Sequence, residues 1–164
     1  MSNQDENHAH EREEGEKSFN KPVFLNEPVT DFNASKQLVK SQENRQIHSE
    51  ASTSLIYNGD NNHVKFIGYL FKNELLHSAI VLFNSASDMV SGAGKFYSDK
   101  YKEKGIIEDR ISFINATRTF ILYLSVDVKL GLNAIYLPYT KGGRVNAESF
   151  PELKAKYADL FAKI

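Results

Sequence analysis

The sequence predicts a mainly α-helical single domain, a helical bundle built on a long antiparallel helical hairpin over residues 74–130. Three observations predict it. Leu76, Ile80, Phe83, Ser87, Val90, Gly94, Tyr97 and Tyr101 recur at steps of four and three, with a parallel row one residue earlier. Two adjacent rows at that spacing form one apolar stripe on a helix. Ile107, Ile111, Ile114, Arg118, Ile121, Ser125 and Val128 repeat the pattern. Between the runs, Lys100, Lys102 and Lys104 precede Gly105, the cation-then-glycine signature of a helix end.

The elements follow in order. Residues 1–30 are expected to be a disordered polar tail and an extended arm: residues 1–20 have too little apolar surface to offset the cost of ordering, and Pro22, Pro28 and scattered apolar residues mark the arm that follows. The single helical domain is expected to span residues 31–164. Asp31 or Asn33 is expected to cap a largely exposed helix over residues 34–50, whose apolar content is limited to Leu38, Val39 and Ile47. Asn58 and Gly59 mark a turn. Residues 63–72 are read as a short helix, and Asn73 caps the first long helix, with Glu74 in its first turn. Ser91-Gly92-Ala93-Gly94 marks a kink in that helix. Gly131 closes the second helix. Ser149 with Glu152 forms a capping box, and Pro151 occupies the first turn of a C-terminal helix. That helix turns Leu153, Tyr157, Leu160, Phe161 and Ile164 toward the hairpin. The alternative is an α+β fold with strands near residues 64–71 and 119–139, where apolar residues alternate.

Composition narrows the function. The chain has 164 residues, 41% hydrophobic and 25% charged, which suits one domain with a sizeable core. A formal net charge of −1 gives no overall field to recruit nucleic acid. The absence of Cys excludes disulfides and thiolate metal sites. No apolar run reaches the length of a membrane span, and the N-terminus lacks a secretory h-region. A cytoplasmic location is the expectation.

Few residues suggest chemistry. Glu74 and His77 form an E-x-x-H, which on a helix presents ligands to a metal pair. The second long run, with Glu108 to Ile111, lacks the matching His. Ser91 to Lys95 resembles a phosphate loop in part, but the full G-x-x-x-x-G-K-[ST] frame is missing. Lys141-Gly142-Gly143-Arg144 offers two cations and open backbone to an anion. Tyr97, Tyr101, Tyr123, Tyr136, Tyr139 and Tyr157 are candidates for a protein-binding surface or for the edge of the core.

The reading that follows is a non-enzymatic soluble binding protein, such as an inhibitor, an adaptor or an immunity-type protein. It would act through protein–protein contacts, with Tyr139, Lys141 and Arg144 as binding residues. It would need no cofactor, and a homo-oligomer is compatible with it. The alternative is a metal- or small-ligand-binding helical bundle, an enzyme in one version, centred on Glu74 and His77.

Overall fold

A computed structural model describes residues 27–59, 63–84, 87–107, 110–140, 143–144 and 150–164; for 87–91, 140 and 143–144 only the backbone is described. The elements run α1 (Lys36–Gln42), β1 (Ile47–Ala51), β2 (Ser54–Asn58), β3 (Val64–Lys72), β4 (Leu75–Phe83), α2 (Ser87–Lys100), β5 (Glu103–Ile107), β6 (Arg110–Ile114), β7 (Phe120–Asp127), β8 (Gly131–Thr140), β9 (Gly143–Arg144) and α3 (Phe150–Ala162). The fold is mainly β, which overturns the helical bundle. Residues 74–130 are not a helical hairpin: they form β4, α2, β5, β6 and β7. The strands weighed as the alternative fall where β3, β7 and β8 lie.

The strand order is β1-β2-β3-β4-β8-β7-β6-β5, with β9 paired to the end of β8. All pairings are antiparallel. Two four-stranded meanders, β1–β4 and β5–β8, therefore meet along β4 and β8. The seam aligns Ala79 with Tyr136, Ile80 with Ile135, Val81 with Ala134 and Leu82 with Asn133. Helix α2 carries the chain from the centre of the sheet to its far edge.

Each sheet face carries its own core. On the first face, α1 contributes Val39 and α2 contributes Ala93 and Tyr97, packed against Tyr69, Val81, Phe113, Leu122 and Tyr136. On the second, α3 lays Phe150, Leu153 and Tyr157 over Ile80, Ile121, Tyr123, Ile135 and Leu137. Tyr157 Oη and Ser78 Oγ, both buried, lie 2.7 Å apart in a hydrogen bond. The C-terminal helix thus packs on a sheet rather than on a helical hairpin. Its Leu160 and Phe161 are half-buried and Ile164 is exposed. The expected Ser149 cap lies outside the described residues, as do residues 1–26, which hold the tail and the first part of the arm.

Local chemistry explains the boundaries. Asn73 and Glu74 have φ of 53° and 66° and form the two-residue turn between β3 and β4, not a helix start. His77 is the extra residue of a bulge, because Leu70 pairs with Ser78 while Phe71 pairs with Leu76. The bulge puts Leu76 in the first core and Ser78 and Ile80 against α3. Ser35 caps α1 by accepting from Leu38 N at 3.2 Å. Asp31 instead accepts from Asn33 N in a turn just upstream. The expected helix over 34–50 stops at Gln42, and its last residues, from Ile47, belong to β1. Gly59 cannot carry a side chain, since a Cβ would lie 1.8 Å from Val64 O. Gly131, at φ 70°, opens β8 after the β7–β8 turn rather than ending a helix. Gly105 lies within β5. Among the described residues no helix is long and apolar enough to cross a membrane, which says nothing of crossing by strands.

Two glycines make opposite predictions. A Cβ on Gly68 would meet Ile80 at 3.1 Å and Phe161 at 3.2 Å, so this position lets α3 approach the sheet closely. A Cβ on Gly94 in α2 meets nothing within 4 Å. Gly68→Val should destabilise the fold by about 1–3 kcal/mol through overpacking. Gly94→Ala should stabilise it by up to about 1 kcal/mol through helix propensity. Urea denaturation of both variants checks the pair, and equal effects of one sign would contradict the packing described.

Candidate functional site

A cleft of about 820 Å³ opens at one end of the sheet under the last turns of α3. Its apolar surface includes Phe66, Leu82, Leu130 and Phe161, and its polar groups include Lys65, Lys129, Asn84 and Asp159. Lys65 is the extra residue of a second bulge, since Val64 pairs with Phe83 and Phe66 with Leu82. That bulge sends Phe66 to the α3 face, where its ring stacks on Phe161 with centroids 5.7 Å apart. The turn between β7 and β8 places Lys129 and Leu130 on the opposite wall.

A polar cluster adjoins the cleft. Lys154 of α3 donates to Ser125 Oγ and to Asp127 Oδ2, the latter at 2.5 Å. Asn133 Nδ2 donates to the same Asp127 oxygen at 2.7 Å, while its Oδ1 is buried without a partner. Burial pulls the Lys154 ammonium below the ordinary lysine value, and Asp127 pushes back toward the charged form. A Ser beside a Lys invites comparison with a nucleophile and its base. Here Lys154 donates to both Ser125 and Asp127, and the Asp127 carboxylate favours its charged form, which opposes a role as base. The cluster fastens α3 to β7.

The opposite face carries a second polar group. Glu27, at the start of the described chain, accepts from Tyr101 Oη at 2.5 Å and from Tyr136 Oη at 3.2 Å through one oxygen. Its other oxygen accepts from Lys100 Nζ at 3.1 Å. Tyr97 Oη lies 3.2 Å from Tyr136 Oη. Nearby, Tyr69 donates to Glu43 at 2.5 Å and accepts from Val29 N at 2.9 Å. Arg45 pairs with Glu43 at 2.8 Å.

The residues singled out from sequence do not form a common site. Glu74 is in a turn and His77 is a bulge residue of β4, so they share no helix face. Among the described residues no group of three metal-ligating side chains is placed to hold an ion. Tyr139 is committed to Arg118, whose Nη2 donates to its hydroxyl at 2.6 Å and whose guanidinium lies 5.0 Å from its ring centroid. Arg144 pairs with Tyr139 through β9, and its side chain, like Lys141, lies outside the described residues. Glu108 and Asp109 also lie outside them. The Ser91 to Lys95 run is inside α2, not between a strand and a helix. Tyr97, Tyr101, Tyr123, Tyr136 and Tyr157 are buried rather than surface-lining. Lys65, Lys129 and Phe66 were not foreseen, because they converge only through the sheet. Glu27 belongs to the stretch read as an extended arm, where no contact with the domain was assigned to it.

No protein-family model and no curated protein matches the chain. Among solved structures it is similar to a DUF4309 family protein (YjgB) from Bacillus subtilis, at 9% identity and a TM-score of 0.35. The match covers 76% of this chain and 96% of that one. Function is therefore read from the geometry alone.

The buried tyrosines should set the alkaline limit of stability. Burial, reinforced by the charges of Glu27 and Glu43, raises Tyr69, Tyr97, Tyr101 and Tyr136 above the ordinary phenol value of 10.0. A raised folded value means that their contribution is complete below the unfolded value and is lost as pH rises above it. Stability should fall from about pH 10 upward, with phenolate absorbance of these side chains appearing together with unfolding. Smooth ionisation of all tyrosines near pH 10 in a still-folded protein would contradict their burial.

Proposed function

We propose that the protein is a non-enzymatic binding protein whose cleft takes a small ligand with an apolar body and an anionic head. The observation that carries this is the joint presence of Phe66, Leu82, Leu130 and Phe161 with Lys65 and Lys129 around one opening of about 820 Å³. That volume falls in the range of small-molecule sites, roughly 300–1,000 Å³. The apolar wall supplies affinity by removing surface from water, and the lysines orient the charge. Asp159 on the same rim disfavours a second negative group nearby.

A second reading, contact with another protein, is favoured by β5. This strand forms one edge of the sheet, and Ile106 within it is 75% exposed. The occupant that fits is an extended partner segment added as a further strand.

Calorimetry with decanoate tests the first reading. One saturable site is expected. Phe161→Ala should raise Kd about tenfold, the equivalent of about 1.4 kcal/mol. Lys65→Glu combined with Lys129→Glu should raise it several-fold, with the effect shrinking at high salt. Ile106→Lys should leave it unchanged. Absence of saturation, or equal binding by the cleft variants, would contradict the cleft as a binding site.

A further inference from the structure

We infer that Tyr97, Lys100, Tyr101 and Tyr136 form a carboxylate-binding site which Glu27 fills in cis, so that the segment carrying Glu27 is a plug. The site is separate from the cleft and lies on the other face of the sheet.

Three features carry this. The donors are built into the scaffold: Tyr97 comes from the last turn of α2, Tyr101 directly follows that helix, Tyr136 comes from the seam strand β8, and all three are buried. Their rings are held by packing. Tyr97 stacks on Tyr101 with centroids 6.1 Å apart, and Phe120 contacts Tyr101 at 5.9 Å and Tyr136 at 5.4 Å. The hydroxyls of Tyr101 and Tyr136 and the ammonium of Lys100 converge on one carboxylate, while Tyr97 backs Tyr136. Preorganised neutral donors beside one cation suit a single carboxylate better than a phosphate, whose greater charge would need more than one cation. The acceptor, in contrast, is supplied by the arm. The Glu27 side chain keeps 20% of its surface in solvent and that of Lys100 keeps 35%, so the site can be reached from water. Beyond Glu27, the arm is attached through Val29 N–H to Tyr69 and through half-buried Val29 and Phe32.

Removing the Glu27 carboxylate takes the charged acceptor from two tyrosine hydroxyls and the ion-pair partner from Lys100, and hydrogen bonds to a charged group are stronger than those a neutral water would offer. A carboxylate supplied in trans should take its place. Two sources share that chemistry, a free carboxylic acid and a glutamyl side chain on an extended segment.

Full-length Glu27→Ala is the test, with thermal unfolding as readout. The substitution should lower Tm by about 4 °C or more. Sodium acetate should restore at least half of the loss in a saturable way, relative to sodium chloride at equal ionic strength and to acetamide. The blocked peptide Leu25–Phe32 is the second arm, with its Glu27→Gln form as control. Rescue by acetate assigns free acids, and rescue by the peptide alone assigns a glutamyl segment. Tyr101→Phe with Tyr136→Phe in the Glu27→Ala background should abolish either rescue, and wild type should respond to neither additive. If Glu27→Ala does not fold unaided, refolding yield with acetate against chloride gives the same answer. No rescue by either arm, or rescue that survives the double tyrosine change, would overturn the proposal.

Discussion

Four residue pairs between β4 and β8 hold the two meanders in one sheet. Everything else depends on that seam. With it formed, β4 and β8 become central strands with helices over both faces, so most of their side chains are apolar whichever way they point, and the buried polar Ser78 and Asn133 are hydrogen-bonded. Ala79, Ile80, Val81 and Leu82 on one strand and Ala134, Ile135, Tyr136 and Leu137 on the other are all buried. Fully burying one such large aliphatic side chain contributes roughly 1.5–3 kcal/mol, against a total domain stability of about 5–15 kcal/mol. Small residues occur where the layers come closest. Ala79 and Ala134 lie in the first core with α2, and Gly68 lies under α3.

The same constraint explains why periodicity pointed to helices. A strand buried on both faces is a continuous apolar run, and such a run satisfies four-three spacing as readily as alternation. Ala79 to Phe83 is one such run, and the stripe read through it continues without a visible break into the true helix α2. The β7 stretch from Phe120 to Asp127 did alternate in part, which is why strands near 119–139 were the alternative. The β3–β4 turn carried little warning, because Asn73 and Glu74 adopt positive φ without a glycine. The C-terminal helix was legible because its apolar positions lie on one exposed-helix stripe and a proline marks its first turn. What it packs against was not legible, since a helix stripe looks the same over a sheet as over another helix.

The candidate sites were less legible still. The cleft draws Lys65 and Phe66 from β3, Lys129 and Leu130 from a turn and Phe161 from α3. Only strand pairing brings these together, and no local spacing encodes that. The bulge that separates Val64 from Phe66 adds one residue to β3, a change no alternation pattern announces. The tyrosines were visible as a class, but their direction was not. A buried tyrosine usually hydrogen-bonds through its hydroxyl. Tyr97, Tyr101 and Tyr136 find theirs in one another and in Glu27, and Tyr157 finds Ser78. These polar contacts fix how the arm and α3 sit on the two faces, while the apolar layers hold the fold together.

Native-state amide hydrogen exchange tests the seam directly. Exchange from the most protected amides requires the most global opening. The slowest amides should be those of residues 79–82 in β4 and 133–136 in β8, exchanging with one shared opening free energy equal to that of global unfolding. Edge strands β1 and β5 should exchange much faster. Equal or weaker protection of the β4 and β8 amides, or slowest exchange spread along residues 106–130 as in a continuous helix, would contradict a sheet joined at this seam.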